Sequence, residues 1–456
     1  LLNQELFSFI KESPTNYHAI AAASRLLADQ GFSPLSEQDA WTLLPGGKYY
    51  VSRGETSLFA FRMPEKLTAA PLTFQIVASH SDSPCFKLKE KAEMTVDGHY
   101  TKLNVERYGG SILSPWFDRP LSIAGRVILK TEQGMKSQLI NLDRDLAMIA
   151  NLAIHMNREI NNGYPYHVQT DLLPIIGSGD KDFSVPELIA KETGIPASDI
   201  LSFDLCLYNR MDGTFWGADK EFISCSKLDD LQCAFASVKA LSETCHPDIL
   251  SAAVIFDSEE VGSQSLQGAG STFLKDCLER INMTLGYTQE DYLRALAGSF
   301  LISADNGHGL HPNYPGKSDP THHPYLNGGV LVKYSANQKY TSDGLTGGLF
   351  QLLCEKNDIP CQTFFNHSDE QGGSTLGNIS MSQVSIPASC YAFPLRNRRG
   401  KRYSVSLSGH ESLLSDKNLQ GLQRISSGTL IFSLNTKKEA KTGFPDSFFF
   451  YKHETG

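Results

Sequence analysis

The stretch Phe74–Asp82, with the sequence FQIVASHSD, joins a short apolar run to a histidine and an aspartate. An apolar run of this length between polar residues is typical of a strand that is buried on both faces. Two later stretches repeat the pattern, since Ala252–Glu260 reads AAVIFDSEE and Phe300–Asp305 reads FLISAD. In all three, ionisable side chains follow directly after the buried run.

This repetition predicts an α/β fold with a candidate site at one edge of its sheet. Ligands of α/β sheets collect at the carboxyl ends of the strands, so the ionisable residues of the three stretches should converge there. Asp229 and Asp230, at the start of a helical segment that runs to Leu241, are candidates for the same site. Periodicity also predicts a strand over Gly329–Lys333 and helices over Asn16–Gln30 and Leu146–Arg158.

Composition narrows the class of protein. The 456 residues include 41 Lys and Arg against 50 Asp and Glu, for a formal net charge of −9. A surface of this sign binds polyanions poorly, which argues against nucleic acid as a partner. No apolar run approaches the roughly 20 residues that span a bilayer, which argues against a membrane protein. The nine cysteines show no C-x-x-C pair, which favours a reducing compartment and a cytoplasmic location.

The grouped histidine and carboxylates indicate metal chemistry. They suit Zn²⁺, with Mn²⁺ or Co²⁺ as alternatives, and a carboxylate that bridges two ions would hold a water of pKa near about 7. In an extended segment, Glu259 and Glu260 would point to opposite sides, so that one binds metal and the other serves as general base. Asp82 could accept the second N–H of His80. The alternative is that each motif is an ordinary solvated strand end.

The ordered motifs resemble those of the aspartyl aminopeptidase family of dinuclear metallopeptidases, from Ser13 to about Ile386. In chain order they are SPTNYH from Ser13, ASHSDSP from Ala78, NLAIH from Asn151, EFI from Glu221, LDD from Leu228, DSEEVGS from Asp257, AD at Ala304, HPNY from His311, Lys333 with ANQ from Ala336, and GGSTLG from Gly372. No single motif is decisive, but the set in this order is highly specific.

The resemblance implies a zinc enzyme with two metal sites. His80, Asp229 and Asp305 would hold one ion, Asp229 would bridge to a second ion that Glu260 also binds, and Glu259 would be the general base.

The resemblance also assigns roles outside the metal ligands. Asp82 would orient His80, and His155 would complete the active site of a neighbouring subunit. Lys333 and His308 would lie near the pocket for the first side chain of the substrate. The family removes N-terminal Asp or Glu from peptides and assembles from dimers into a dodecamer.

The implied fold is an α/β/α sandwich with a central mixed β-sheet, plus an inserted β-rich dimerisation or lid domain. We predict that residues 1–90 and 222–387 form the catalytic domain and that residues 91–221 form the insertion. Residues 388–456 form an aberrant C-terminal segment without sustained helical or strand periodicity.

The C-terminal segment departs from the family pattern where the second metal site needs a histidine, in a motif resembling Leu-Ala-Met-His-Ser. The residue at the corresponding place is Ala392, and neither His410 nor His453 has the motif around it. Back-translation of Ala388–Ser404 shows that a shifted reading frame permits Leu-Ala-Met-His-Ser. The hypothesis is that the segment is translated out of frame, and the alternative is a divergent natural terminus. Either way, we expect one tightly bound metal and reduced hydrolysis.

Two other functions stay open on these residues. The same ligands would serve a non-catalytic metal-binding or scaffold homologue, or a related metallo-carboxypeptidase or deacylase. A serine hydrolase or nucleotide-binding protein is disfavoured, since the chain has no G-x-S-x-G motif and Gly372–Thr375 lacks the lysine of a phosphate-binding loop.

Overall fold

A computed structural model describes residues 2–67, 71–179, 182–244, 246–370 and 372–395, and the backbone of 411–415, 432–433 and 449–450. The helices are α1 Leu2–Lys11, α2 Asn16–Asp29, α3 Val168–Asp171, α4 Val185–Thr193, α5 Leu228–Glu243, α6 Phe273–Thr284, α7 Gln289–Ala297, α8 Gly344–Lys356 and α9 Leu376–Ser380. The strands are β1 Ser33–Leu35, β2 Lys48–Arg53, β3 Ser57–Arg62, β4 Phe74–His80, β5 Cys85–Val96, β6 Tyr100–Tyr108, β7 Pro120–Thr131, β8 Gly134–Asn141, β9 Ala147–Met148, β10 Ile175–Gly177, β11 Ile200–Tyr208, β12 Thr214–Trp216, β13 Phe222–Ser226, β14 Leu250–Phe256, β15 Phe300–His308, β16 Val330–Lys333, β17 Cys361–Phe364, β18 Ala388–Leu395, β19 Glu411–Ser415, β20 Phe432–Ser433 and β21 Phe449–Phe450. Within the described residues, no helix combines the length and the apolar character that crossing a bilayer requires.

Nine strands form one mixed sheet in the order β1-β2-β3-β14-β4-β15-β18-β16-β17. Its central strands β14, β4, β15 and β18 are parallel, and β3 and β16 flank them in the antiparallel direction. The three apolar runs that precede Asp257, His80 and Asp305 are the adjacent strands β14, β4 and β15. The predicted central mixed sheet is therefore confirmed.

Buried side chains alternate between the two faces of this sheet, as the pleat requires. In β3, Leu58 and Ala60 belong to one buried cluster, whereas Phe59 and Phe61 belong to the other. Helices α1, α2, α5 and α8 pack into the first cluster, and α6, α7 and α9 pack into the second. The large sheet therefore lies between two helical layers, which is the predicted α/β/α sandwich.

A second, β-rich unit is inserted in the chain between β4 and β14, which are direct neighbours in the large sheet. Strands β5 to β11 form a seven-stranded sheet in the order β11-β5-β6-β10-β9-β7-β8, and β11 also pairs with β7. That additional pairing closes six of the strands into a barrel, which is filled by residues such as Trp116 and Phe86, whose rings meet edge to face at 4.8 Å. The insertion boundaries at 91 and 221 stay a prediction.

Most of the elements predicted from periodicity are present. The predicted helix over Asn16–Gln30 is α2, and the helical segment that runs to Leu241 is α5. The predicted strands start within two residues of β4, β14, β15 and β16, although β15 continues to His308.

The helix predicted over Leu146–Arg158 is wrong. Ala147 pairs with Leu121 of β7, Ile149 forms a bridge to Phe117, and turns follow. These strand contacts bury Ala147 and Ile149 without a helix, so tertiary pairing overrides the local apolar spacing. Asn151 is then fixed by Asp118, whose carboxylate accepts its backbone N–H at 3.0 Å and its side-chain amide at 2.7 Å.

The start of the C-terminal segment is also more regular than the sequence suggests. Ala388–Leu395 forms β18 in the centre of the large sheet, between β15 and β16. Ser389, Cys390 and Ala392 are all buried, so a strand in this position shows no alternation of polar and apolar residues. The remainder of the segment, including Arg396–Arg402, His410 and His453, lies outside the described residues except for β19, β20 and β21.

Candidate metal centre

The pairing of the parallel strands brings the predicted ionisable residues to one edge of the sheet. Ser303 of β15 pairs with Ala78 of β4, so Asp305 and His80, two residues further on, lie level with each other. On the other side of β4, Phe256 pairs with His80, and the acidic loop that follows β14 leaves the sheet at the same edge. The register of the parallel strands therefore brings the carboxyl ends of β4, β14 and β15 close together.

The start of α5 supplies the other acidic residues. Asp229 and Asp230 precede the regular part of the helix and have non-helical backbone angles, and Lys227 before them is in the left-handed region with φ 53°. Together with His80 and Asp305, they offer ligand atoms that all lie within 4.8 Å of one another. This group of four side chains is called the acidic cluster below.

The acidic cluster fits a divalent metal ion. His80 and Asp230 are fully buried, and Asp229 and Asp305 are largely buried. Three carboxylates this close repel one another, and burial in protein removes the water that would stabilise their charge. One imidazole nitrogen and several carboxylate oxygens are ligands that Zn²⁺ takes in proteins. Glu260, predicted as a ligand of a second ion, is not a member of the acidic cluster.

Asp82 lies behind His80. Nδ1 of His80 is 3.2 Å from Oδ1 of Asp82 and 3.1 Å from its backbone oxygen, whereas Nε2 is 3.5 Å from Oδ1 of Asp229. The imidazole therefore has one nitrogen toward Asp82 and the other toward the acidic cluster. This is the orientation that a buried carboxylate imposes on a metal-binding histidine.

The carboxylate of Asp82 is itself held by two parts of the chain. It accepts the backbone N–H groups of Glu259 and Glu260, both at 3.1 Å. The Tyr108 hydroxyl, from the β-rich unit, donates to it at 2.7 Å. Because Tyr108 follows no strand of the large sheet, no local pattern of residues indicates its part in the site.

The expectation of an extended segment at Glu259 and Glu260 is wrong. Glu259–Val261 forms a single turn of 3₁₀ helix, preceded by Ser258 at φ 63°. This turn directs both backbone N–H groups to Asp82, so the local conformation is set by a hydrogen-bond acceptor 177 residues away in the chain.

Asp230 was a candidate for the site from the sequence, and the structure shows its particular role. Its Oδ2 accepts the backbone N–H of His80 at 3.1 Å, and its Oδ1 accepts the side-chain amide of Asn306 at 3.3 Å. Asn306 also donates to the backbone oxygen of Leu228 at 3.0 Å. Asp230 therefore links the start of α5 to β4 and β15. The signal in the sequence was its position next to Asp229 in LDD.

The crowding of charge shifts the ionisation of the site. Burial disfavours the imidazolium form of His80, but hydrogen bonds to Asp229 and Asp82 and the charge of Asp230 raise its pKa well above the usual value. Burial raises the pKa of Glu259 well above its usual value as well. Metal binding requires neutral imidazole, so it would release a proton from His80.

The remaining predicted site residues lie at different distances from the acidic cluster. Lys333 is buried, and its Nζ is 3.3 Å from Oδ2 of Asp305 and 3.2 Å from the backbone oxygen of Asn306. His308 is exposed at the end of β15, with its ring 6.5 Å from that of Phe364. His155 is exposed on a turn of the β-rich unit and contacts no member of the acidic cluster in the described chain.

Ala392 lies next to the acidic cluster. It pairs with Asp305 in the parallel register of β15 and β18, and paired residues project to the same face of a sheet. Ala392 is fully buried, and its methyl group contributes no metal ligand.

An α/β/α sandwich with a buried histidine–carboxylate cluster at the carboxyl edge of its parallel strands is an arrangement found in metal-dependent hydrolases. The family described as aminopeptidase I zinc metalloprotease (M18) matches residues 9–388. The chain belongs to this family of zinc metallo-aminopeptidases.

Known proteins of this type are similar over most of their length. A probable M18 family aminopeptidase 2 of Clostridium novyi is 42% identical over 412 residues, which cover 89% of this chain and 95% of the relative. Its counterpart in Pseudomonas aeruginosa (strain UCBPP-PA14) is 40% identical over 398 residues, covering 84% of this chain and 90% of the relative. A chain of the cryo-EM structure of the Ape4 and Nbr1 complex superposes with a TM-score of 0.86 at 31% identity, covering 93% of this chain and 85% of that one. The S. cerevesiae mApe1 dodecamer gives a TM-score of 0.78 at 25% identity, with 93% and 95% covered.

The contacts of Asp82 generate a test of the site. We expect Asp82→Asn to lower zinc affinity by about 10- to 100-fold, because the His80 imidazole loses the carboxylate that fixes its orientation. Competition with a chromophoric chelator measures the affinity. Tyr108→Phe is the matched control, since it removes one hydrogen bond to Asp82 and leaves the carboxylate in place. Equal affinity in Asp82→Asn and the unaltered chain would contradict this role.

Proposed function

We propose that this protein removes N-terminal acidic residues, Asp or Glu, from peptides by hydrolysis with a metal-activated water. The observation that carries the proposal is the acidic cluster, whose members His80 and Asp305 interact electrostatically with Glu259, a half-buried carboxylate with a raised pKa. His80, Asp229 and Asp305 would hold the first zinc ion, and Asp229 with Glu260 would hold a second. When bound, zinc lowers the pKa of a coordinated water and polarises the scissile carbonyl.

The residues of the chain would divide the remaining work. Glu259 would take a proton from the attacking water and pass it to the leaving amine, a role for which a carboxylate of raised pKa is suited near neutral pH. Asp82 would keep the His80 imidazole oriented, as its 3.2 Å contact to Nδ1 supports.

The acidic preference is the finer part of the proposal. The buried ammonium group of Lys333 is beside Asp305, so it supplies positive charge where a substrate carboxylate could approach the metal site. His308, at the end of the same strand as Asp305, would line the pocket for the first side chain of the peptide. Neutral side chains would gain nothing from these two groups.

We infer that the second metal site is incomplete. Asp229 and Glu260 would be its ligands from this chain, and a histidine on β18 would be expected to join them. Ala392 occupies the strand position level with Asp305, which supports its correspondence to that histidine. The family match ends at residue 388, where the departure begins, and this supports translation of the later residues out of frame. The base sequence from the codons of Gly377 to Ser404 would decide between a frame change and a divergent terminus.

We also propose how the protein assembles and where in the cell it is located. We infer that residues 1–90 and 222–387 form the catalytic domain and that 91–221 form a domain for self-association. Exposed His155, with Leu152 and Met156 beside it, would then reach the active site of a neighbouring subunit. The mApe1 dodecamer among the similar structures supports an assembly of that kind. All eight described cysteines are free thiols, which supports a reducing compartment such as the cytoplasm.

The general base is tested by Glu259→Gln. We expect hydrolysis of an aspartyl anilide to fall by about 10²- to 10⁴-fold, because an amide cannot accept the proton of the water. Zinc content, measured by elemental analysis, should not change, since Glu259 is not a proposed ligand. Glu290→Gln, at an exposed position of α7, is the control and should retain activity. A chain that releases no amino acid from any anilide would instead favour the scaffold alternative, and release from the carboxyl end of peptides would favour a carboxypeptidase.

The acidic preference is tested by a ratio of substrates. We expect kcat/KM for aspartyl and glutamyl anilides to exceed that for leucyl anilide, and Lys333→Met to reduce the ratio at least about tenfold, or 1.4 kcal/mol. The ratio separates specificity from any general loss caused by the contact with Asp305. Lys317→Met removes a half-exposed lysine that pairs with Glu370, and it should leave the ratio unchanged. A higher rate with leucyl anilide in the unaltered chain would refute the acidic specificity.

The incomplete second site predicts the metal content. After dialysis we expect about one zinc ion per chain, because Asp229 and Glu260 alone provide fewer ligands than the four usual for zinc. Ala392→His should add a second ion and raise activity, whereas Ala392→Gln should not. Both substitutions enlarge a buried side chain, so the overpacking cost of about 1–3 kcal/mol is shared and only the imidazole differs. Two tightly bound ions in the unaltered chain would overturn the inference.

A further inference from the structure

A small pocket lies between the β-rich unit and the α/β/α sandwich. Its wall is formed by the loop that follows β4, the ends of β6 and β11, the start of α2 and Lys227 just before α5. Lys87 and Lys227 line it together, and Asp82 is the one carboxylate among the lining residues. The proposed reaction makes no use of either lysine.

Lys227 is a buried cation with no acidic partner among the described residues. It is 6% exposed, and its Nζ donates to the Ser226 hydroxyl at 3.4 Å. It also lies over the ring face of Tyr208, at 5.8 Å. Throughout the described part of the chain, no carboxylate oxygen lies within 4 Å of this ammonium group.

Lys87 repeats this arrangement on the other side of the cavity. It is half-buried on β5, and its Nζ lies over the ring of Tyr108 at 4.3 Å. It too forms no ion pair with a described residue. Lys87 pairs with Cys206 of β11, and both residues line the cavity.

The other polar groups of the wall are already in use. Asp82 accepts the backbone N–H groups of the turn at Glu259 and the Tyr108 hydroxyl, so its charge is satisfied away from the lysines. The Asn16 amide donates to Asp257 at 3.0 Å, and the Ser83 hydroxyl donates to the backbone oxygen of Asp229 at 3.0 Å. Both ammonium groups therefore keep N–H donors that no carboxylate of the described residues accepts.

A buried ammonium group loses hydration, and a ring face at these distances offsets only part of that loss. A negative ion between the two ammonium groups would supply the missing counter-charge and accept their hydrogen bonds. We propose that this cavity is a binding site for a small inorganic anion, held between the ammonium groups of Lys87 and Lys227.

The bound anion would have a structural effect near the acidic cluster. Lys87 belongs to the β-rich unit, and Lys227 lies two residues before Asp229. An ion bound by both lysines would therefore connect the β-rich unit to the sandwich. The connection would lie beside His80 at the end of β4 and Asp82 in the loop that follows it. This inference does not depend on the proposed peptide substrate, because it concerns stability and ion binding alone.

Thermal unfolding of the full chain tests the site at constant ionic strength. The sodium salts of chloride, bromide and phosphate are compared with gluconate, an anion with a bulky polyhydroxy chain. We expect Tm to rise with at least one of the small anions and to saturate, as linkage to a single site requires. Lys87→Met with Lys227→Met should abolish the rise without lowering Tm in gluconate. Lys136→Met, at an exposed position of β8, should keep the full rise.

A second measurement needs only the unaltered protein. Crystals grown in sodium bromide should show an anomalous peak in the cavity, between Nζ of Lys87 and Nζ of Lys227. The proposal is overturned if that peak is missing, if no small anion raises Tm above its value in gluconate, or if the doubly substituted chain shows the same saturating rise as the unaltered one.

Discussion

The repulsion among clustered carboxylates is the constraint on which the active edge of this protein depends. Three carboxylates and one imidazole offer ligand atoms within 4.8 Å of one another, and much of the group is buried. A fold can hold such a group only if each member is fixed by donors from elsewhere and a cation completes the balance. Asp230 is fixed by the backbone of β4 and by Asn306, and Asp305 is beside the ammonium group of Lys333.

Both units of the structure supply contacts that hold these charged side chains in place. Asp82 holds the imidazole of His80 from behind, and its own oxygens are held by a turn of the sandwich and by a tyrosine of the β-rich unit. The β-rich unit therefore contributes to the site directly, through a hydrogen bond two contacts away from the acidic cluster. Lys87 and Lys227 lie along the same junction, where the proposed anion would add a second connection between the units.

At β18, in the centre of the large sheet, the fold and the proposed metal site place different requirements on the sequence. β18 supplies the backbone pairing that β15 and β16 need, and its small buried residues pack without difficulty. A strand in that slot is specified by hydrogen bonding and burial, which many sequences satisfy. A metal ligand at the same position would be specified by one side chain, so the architecture tolerates Ala392 whereas the proposed second metal site would not.

The sequence by itself determined the parallel strands of the sandwich, the ionisable residues at their carboxyl ends and the family. Those features are local, since an apolar run followed by His80 or Asp305 predicts a buried strand with an ionisable residue at its end, wherever the strand lies in the sheet. Tertiary structure alone decided the 3₁₀ turn at Glu259, the loss of the expected helix after Leu146, and the parts played by Asp230 and Tyr108. In each case the deciding partner is distant in the chain: Asp82 orients the turn, β7 pairs with Ala147, and the β-rich unit delivers the Tyr108 hydroxyl. Local periodicity carries no information about such partners, because hydrogen bonds formed across the fold outweigh the weak preferences of a short segment.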